Sequence, residues 1–396
     1  MRIQKTFRSI DIKFLLIVLP GYIRNVINLV RQPGKKAGWP VRAVQVWFVT
    51  AMLLTGCSSD DPNTATQPPP PPPPPPPTLP VVIAKPIGAF SASGVQVDAV
   101  LSHLLVQGTL IRMPWDGLES SPGVYDYTVL DDNVARVKAA GKKWSLAVVA
   151  GPATPGWIYE LPYEAPRIRY LFRNQESVMA PAWHASVRVR LQLLAENLAV
   201  KFGDDPDLEV IYVTQMTANG IEGQLPPDSQ LLPSGTTWAT DYGWTDALWV
   251  DAVTGIARDF ATAFSEKAIA VELHDVLGDA MIPQRIGDNL CDDATLDGRV
   301  GIAIWWLSGS TTYQPELLDY FRSFSCDKYG QVIAPSSDTT KFPNGGYAGV
   351  FTQAKELNLR YIEFWQDEFT GTGPLCCIWE EEIADFNTWA ESTFSK

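Results

Sequence analysis

The sequence predicts an α/β protein: a single (β/α)8 TIM barrel, residues 81–396, that follows a signal peptide and a polyproline linker. Eight apolar, strand-like runs occur in that range, and amphipathic helical patterns separate most of them. Near-continuous apolar strands that alternate with helices are typical of a parallel sheet covered by helices. The alternative, a doubly wound open sheet, is disfavoured because no GxGxxG follows the first run.

The first 56 residues are predicted to be a signal region. Arg42 precedes an apolar core, Val44–Leu54, which is too short to span a bilayer. Leu54-Thr55-Gly56-Cys57 follows and resembles the bacterial lipobox, so we expect Cys57 to be lipidated. Ser58 after the cysteine favours the outer membrane of a Gram-negative bacterium, on its periplasmic or cell-surface side. Residues 1–40 are longer than such a signal needs, and we expect translation to start near Val41.

Residues 57–80 form the predicted linker. Ten consecutive prolines, 68–77, fix φ and lack backbone donors, so they predict a polyproline II rod. At about 3.1 Å per residue this rod spans roughly 31 Å and serves as a spacer.

Charge and cysteine content exclude several functions. Of 31 Lys and Arg and 44 Asp and Glu, all but nine basic residues and one acid follow residue 57. The strongly acidic remainder argues against nucleic acid as a partner. No metal-ligand spacing or P-loop occurs, so neither metal nor cofactor is expected. In an oxidising compartment, adjacent Cys376 and Cys377 would most simply pair with Cys291 and Cys326.

Strand composition and helical spacing place the elements in order. The predicted strands are Val81–Ala84, Thr109–Met113, Trp144–Val149, 209–213, Ala268–Leu273, Val300–Leu307, Gln331–Ala334 and Arg360–Trp365. The predicted helices are Leu130–Ala140, Val187–Phe202, Thr245–Phe264, Tyr347–Leu357 and Ile378–Phe394. Gly141 stops the first helix.

A carboxylate follows the fourth predicted strand. The loop Thr217–Gly220 leads from that strand to Glu222. Parallel barrels keep their chemistry beyond the carboxyl ends of their strands. Glu222 is therefore the first candidate for a catalytic acid.

The block from Arg112 to Trp157 resembles clan A glycoside hydrolases. Its matching stretches are Arg112–Glu119, Pro122–Tyr127, Leu130-Asp131, Ala140–Lys143, Gly151-Pro152 and Pro155–Trp157, closest in style to family 42 β-galactosidases. The resemblance implies an acid/base after strand 4 and a nucleophile after strand 7. Glu222 matches the first in region, although Asn219 lies three residues before it rather than adjacent. Ala334-Pro335-Ser336, after the seventh predicted strand, contains no acid.

Glu363 is the candidate second carboxylate. Alternation places Tyr361, Glu363 and Trp365 on one face of the last strand. A glutamate in an apolar strand needs a polar pocket or a partner, and Arg112 is a candidate. A structural ion pair between them is the competing interpretation.

The remaining candidates are substrate-binding residues at predicted strand ends. They are Arg112, Trp115, Asp116, Trp157, Asn219, Glu272, His274, Trp305, Trp306 and Trp365. Sugar rings present C–H faces that pack on indole, so this tryptophan content is typical of a saccharide cleft. We expect Trp115, Trp157 and Trp305 or Trp306 to line one pocket with Arg112. Two functions remain open: a lipid-anchored glycoside hydrolase acting on an oligo- or polysaccharide, or an inactive barrel that binds saccharide or scaffolds the cell surface.

Overall fold

The computed structural model describes residues 83–342, 346–370 and 378–395. The signal region, Cys57, the polyproline linker, Cys376 and Cys377 lie outside these residues. Eight parallel strands close into a barrel in the order β1-β13-β12-β11-β10-β8-β5-β2. The predicted (β/α)8 barrel is therefore confirmed. Within the described ranges, no helix has the length and apolar character needed to cross a membrane.

The strands number thirteen in the described residues. They are β1 (Gly88–Ser91), β2 (Gly108–Pro114), β3 (Glu119–Ser121), β4 (Val124–Tyr125), β5 (Lys143–Val149), β6 (Ile168–Phe172), β7 (Gln175–Met179), β8 (Leu208–Tyr212), β9 (Leu231–Leu232), β10 (Ala268–Glu272), β11 (Val300–Leu307), β12 (Lys328–Val332) and β13 (Tyr361–Phe364). The five that lie outside the barrel form two small antiparallel sheets, β3-β4 and β7-β6-β9.

A helix follows every barrel strand along the chain. The helices are α1 (Asp98–Ser102), α2 (Trp115–Leu118), α3 (Thr128–Ala139), α4 (Ala185–Phe202), α5 (Trp238–Tyr242), α6 (Asp246–Ala263), α7 (Met281–Cys291), α8 (Pro315–Ser323), α9 (Ala348–Glu356) and α10 (Glu380–Phe394). The five predicted helices correspond to α3, α4, α6, α9 and α10, with ends that agree within two residues.

The first predicted strand is wrong. Residues 83 and 84 are not in a strand, and β1 is Gly88–Ser91. Its Phe90 ring points into the barrel, where its centre lies 4.6 Å from that of Tyr361. Space for that ring depends on Gly108 of β2, because a Cβ there would lie under 3.0 Å from it. Tertiary packing therefore places β1 at a short segment of mostly small residues rather than at residues 83 and 84.

The predicted seventh strand, Gln331–Ala334, is displaced by about three residues from β12 at Lys328–Val332. Tyr329 lies in the cluster that fills the barrel, together with Phe90, Tyr212 and Tyr361. Gln331, two residues later on β12, donates a hydrogen bond to the buried Glu363. A strand with polar and aromatic residues facing the interior lacks the apolar run that marks the other barrel strands.

The predicted outward pairing of cysteines is also wrong for the two that are described. Cys291 at the end of α7 forms a disulfide with Cys326, shortly before β12. The bond joins segments 35 residues apart. It links the end of α7 to the segment that leads into β12.

Candidate functional site

The loop after β8 places Glu222 at the mouth, the open end of the barrel where its strands terminate. The Asn219 side-chain oxygen accepts hydrogen bonds from the backbone N–H groups of Ile221 (3.3 Å) and Glu222 (3.0 Å). Gly220 has φ +87°, and a Cβ there would meet the backbone of Ala150 at under 3.0 Å. Only glycine accommodates both that conformation and that approach. The half-buried Glu222 carboxyl accepts a hydrogen bond from Gln224 (3.1 Å).

Glu272, at the end of β10, holds this loop from below. Its two carboxyl oxygens accept the backbone N–H groups of Gly223 and Trp305, the latter at 3.1 Å. The Gln215 amide adds hydrogen bonds to the carbonyls of Ile221 (3.1 Å) and Glu272 (2.8 Å). Glu272, which the sequence placed among substrate-binding residues, is 1% exposed and is engaged with the backbone. It fixes the position of Glu222.

Burial raises the pKa of Glu222 to about 7, and the nearby Glu272 carboxyl acts in the same direction. His274, Asn219 and Arg112 oppose the shift. Burial lowers the pKa of His274, and the charges of Glu222 and Asp275 act in the opposite direction. The His274 Nε2 atom lies 3.3 Å from the Tyr313 hydroxyl and 3.2 Å from the Gln314 amide. Because burial raises its pKa to about 7, Glu222 can keep a proton near neutral pH.

Glu363 lies inside the barrel and is 0% exposed. Its carboxylate accepts hydrogen bonds from the Tyr361 hydroxyl, from the Gln331 amide (2.9 Å) and from the Ser145 hydroxyl (3.4 Å). Burial raises the pKa of Glu363 to about 7, against the opposing effects of Tyr361 and Arg112. The sequence pattern placed Tyr361 on the same face as Glu363 but gave no signal for Gln331 and Ser145, which lie on two other strands and meet Glu363 through strand register.

Arg112 connects the two glutamates electrostatically. Its guanidinium donates to the Gln331 side-chain oxygen (2.5 Å), and Gln331 in turn donates to Glu363. Two indoles flank it, those of Trp305 at 4.8 Å and Trp365 at 5.6 Å. Burial lowers the pKa of Arg112, while the charges of Glu363 and then Glu222 raise it. The predicted partnership with Glu363 thus runs through Gln331.

The predicted tryptophans do not line one pocket with Arg112, because they lie in separate clusters. Trp115 is fully buried and donates to the Glu119 carboxylate (2.8 Å), which also pairs with Arg190. Trp157 packs on Trp115, with ring centres 6.0 Å apart, and donates to the Glu119 carbonyl (3.0 Å). These contacts belong to the base of the β3-β4 hairpin.

Two further candidates also lie apart from Arg112. The Trp306 indole donates to the Leu273 carbonyl (2.9 Å) and packs against His274. Asp116 is exposed on α2. Among the described residues, no group of three or more His, Cys, Asp or Glu side chains could hold a metal ion.

Several solved structures are similar to this chain, and three of them are a β-amylase domain, a β-galactosidase and a xylanase. The catalytic domain of β-amylase from Paenibacillus polymyxa has a TM-score of 0.52 at 12% identity, over 79% of this chain and 99% of that chain. The β-galactosidase from Bacillus circulans sp. alkalophilus has a TM-score of 0.49 at 9% identity, over 77% and 56%. Xylanase B from Clostridium stercorarium F9 has a TM-score of 0.41 at 14% identity, over 71% and 86%. Neither a protein-family model nor a curated protein sequence matches the chain. The similarity to the β-amylase domain supports the barrel fold.

Proposed function

We propose that this barrel is a glycoside hydrolase in which Glu222 donates a proton to the leaving group. One observation carries the proposal: the Glu222 carboxyl is half-buried at the mouth, with a pKa raised to about 7 by burial. Cleavage of a glycosidic bond needs one carboxyl protonated near neutral pH and a second one ionised. The loop geometry of Asn219, Gly220 and Glu272 holds Glu222 in place for this role.

Glu363 is the proposed second carboxylate. Burial raises its pKa to about 7, while hydrogen bonds from Tyr361 and Gln331 and the nearby charge of Arg112 favour the ionised form and oppose that shift, so both forms are present near pH 7. Glu222 and Glu363 both act on the charge of Arg112, which supports a shared site. In this scheme the ionised carboxylate attacks the sugar carbon or activates water, while Glu222 protonates the departing oxygen.

The second candidate is a barrel that binds saccharide without cleaving it. The complete burial of Glu363 favours this function, since an attacking carboxylate must reach the sugar. The end of β12 favours it too, because residues 332–336 contain no carboxylate.

Hydrolysis by the Glu222→Gln variant tests the first function. Aryl glycosides and oligosaccharides of several sugars are the substrates, and Glu176→Gln, at an exposed position of β7, is the control. Loss of general-acid assistance lowers the cleavage rate by about 10²–10⁴-fold, whereas the control keeps the rate of the unaltered protein. Binding without hydrolysis by the unaltered protein would establish the second function, and full activity in Glu222→Gln would remove Glu222 from the mechanism.

We also propose that the protein is anchored to the outer membrane through a lipid on Cys57. The support is the apolar core that ends in Leu54-Thr55-Gly56-Cys57. Several acyl chains on one residue anchor stably, since each buried methylene contributes about 0.8 kcal/mol. We expect Cys57→Ala to move the protein from the membrane to the soluble fraction and Ser58→Ala to leave it in the membrane fraction. Retention of Cys57→Ala in the membrane would contradict the anchor.

A further inference from the structure

A second feature at the mouth is a cavity of about 340 Å³ at the ends of β11 and β12. Five hydroxyl side chains line it, those of Ser308, Ser310, Thr312, Tyr313 and Thr340, together with Ile333 and the ammonium group of Lys341. Ser308 directly follows β11 and Ile333 directly follows β12. The carboxyl ends of parallel barrel strands share one face, so the cavity opens on the same face as Glu222.

The loop beside this cavity is rigidly built. The Ser310 hydroxyl accepts the backbone N–H groups of Thr312 and Tyr313, each at 3.2 Å. Gln353 of α9 accepts the N–H of Gly309 (2.8 Å) and donates to the carbonyl of Ser310 (2.7 Å). Hydrogen bonds to both neighbouring segments fix the loop before any ligand binds, which reduces the entropy lost on binding.

Tyr313 offers an aromatic surface at the edge of the cavity. It is 42% exposed, although its ring packs edge-on against Trp306 (5.7 Å between centres) and His274 (6.2 Å). Its hydroxyl lies 3.3 Å from His274 Nε2, which fixes the direction of the ring. The ring is therefore accessible to a ligand and is held in a fixed orientation beside the cavity.

The side chains present suit a pyranose. Hydroxyl groups both donate and accept hydrogen bonds, as sugar hydroxyls do. The Tyr313 ring can pack against the C–H face of a sugar, and Lys341 adds further donors. Ligand sites combine a few polar groups with aromatic surface in this way.

The cavity is connected to the loop of the candidate acid through two side chains. Tyr313 contacts His274, whose Nδ1 atom lies 3.7 Å from the Glu272 carboxylate, and Glu272 accepts the N–H of Gly223 beside Glu222. We propose that the Tyr313 cavity binds a sugar unit of the substrate chain that is remote from the bond cleaved at Glu222. The substrate is then an oligo- or polysaccharide rather than a disaccharide. This inference rests on the proposed function and gives the expected oligo- or polysaccharide a binding site on the barrel.

Binding is measured in the Glu222→Gln background, so that hydrolysis does not interfere. The probes are cellohexaose, xylohexaose, maltohexaose and β-1,4-galactohexaose, titrated calorimetrically. We expect at least one hexasaccharide to bind and Tyr313→Ala to weaken that binding tenfold or more. Tyr313→Phe keeps the ring and should stay within about threefold. Tyr320→Ala is the matched control, because Tyr320 lies on α8 with its hydroxyl near Met281, and it should leave affinity within twofold.

Three results separate this inference from the proposed function. Failure of all four hexasaccharides to bind, or unchanged affinity in Tyr313→Ala, would overturn the cavity assignment. If the unaltered protein hydrolyses nothing while Tyr313→Ala still weakens binding, the enzyme assignment fails and the sugar site stands. If Glu222→Gln abolishes hydrolysis while Tyr313→Ala binds normally, only the sugar site fails. A melting curve for each variant confirms that it is folded.

Discussion

The guanidinium carbon of Arg112 lies 4.8 Å from the centre of the Trp305 ring. Arg112 is on β2 and Trp305 on β11, and these strands lie on opposite sides of the closed barrel. The Arg112 side chain therefore spans the barrel near its mouth, where it also reaches Gln331 of β12. One cation thus joins β2 to β11 and β12, neither of which has backbone hydrogen bonds with β2.

Replacing this cation should destabilise the barrel. Arg112→Met leaves the buried Glu363 without its nearby positive charge and Gln331 without a donor. Leaving the buried Gln331 side-chain oxygen without its donor lowers the free energy of unfolding by about 1–3 kcal/mol. Urea unfolding measures this loss of stability. Arg169→Met is the control, since the Arg169–Glu176 pair is about half exposed and contributes under about 1 kcal/mol. Equal losses in both variants would show that Arg112 has no such role.

Gly108→Ala should be more destabilising than an ordinary glycine replacement. The added Cβ would lie under 3.0 Å from both the Phe90 ring and the backbone carbonyl of Lys143. Overpacking of this kind lowers stability by about 1–3 kcal/mol. Gly156→Ala meets nothing within 4 Å and should change stability by less than about 0.5 kcal/mol. Thermal unfolding compares the two, and similar melting temperatures would refute the close packing of β1 on β2.

Activity should have a narrow maximum near pH 7, because Glu222 must be protonated and Glu363 ionised, and burial raises the pKa of each to about 7. Glu222 must carry its proton to act as an acid, and burial raises its pKa to about 7. The descending limb of kcat/KM, measured from pH 4 to 9, should therefore have its midpoint near that value. A rate that remains constant between pH 6 and 9 would assign the proton transfer to another group.

Stability should also depend on pH through Glu363. Its pKa is raised from 4.5 to about 7 by burial, so folding takes up a proton between these values. The resulting stabilisation is fully present below pH 4.5 and is lost as pH rises through about 7, with a slope of at most about 1.4 kcal/mol per pH unit. In urea unfolding at pH 5 to 8, Glu363→Gln should flatten this decline. The exposed Glu176→Gln should keep it, and an unchanged slope in Glu363→Gln would contradict the shift.

The disulfide should contribute to stability. Cys291 and Cys326 close a segment of 35 residues, for which loop entropy predicts about 3–4 kcal/mol. The double replacement by alanine should lower the free energy of unfolding by about that amount. Peptide mapping without reductant should recover the Cys291–Cys326 pair, and recovery of either residue bonded to Cys376 or Cys377 would contradict it.

Most of the barrel could be predicted from sequence because most of its strands are apolar on both faces. Val300–Leu307 is buried along its whole length and was predicted with its observed bounds. Helices α7 and α8 were not predicted. Pro283 and Gly287 interrupt the helical pattern of α7, and α8 has only nine residues. Short elements held by tertiary contacts leave little local signal.

The site could be predicted only in part. Glu222 follows a strongly marked strand, so its position at the mouth was accessible from sequence alone. Tyr313 lies in a loop whose rigidity comes from Gln353, forty residues further along the chain. The path of Arg112 across the barrel depends on strand order and register. Contacts between residues far apart in the sequence leave no local pattern from which they could be predicted.

Lys85 attaches the start of the described chain to the amino ends of two barrel strands. Its ammonium group pairs with Asp327 and donates to the carbonyl of Gly298 (2.8 Å), which lie one residue before β12 and two residues before β11. The chain therefore joins the barrel at the pole opposite the mouth. A substitution of Lys85 should therefore affect that pole and not the approach to Glu222 and Tyr313.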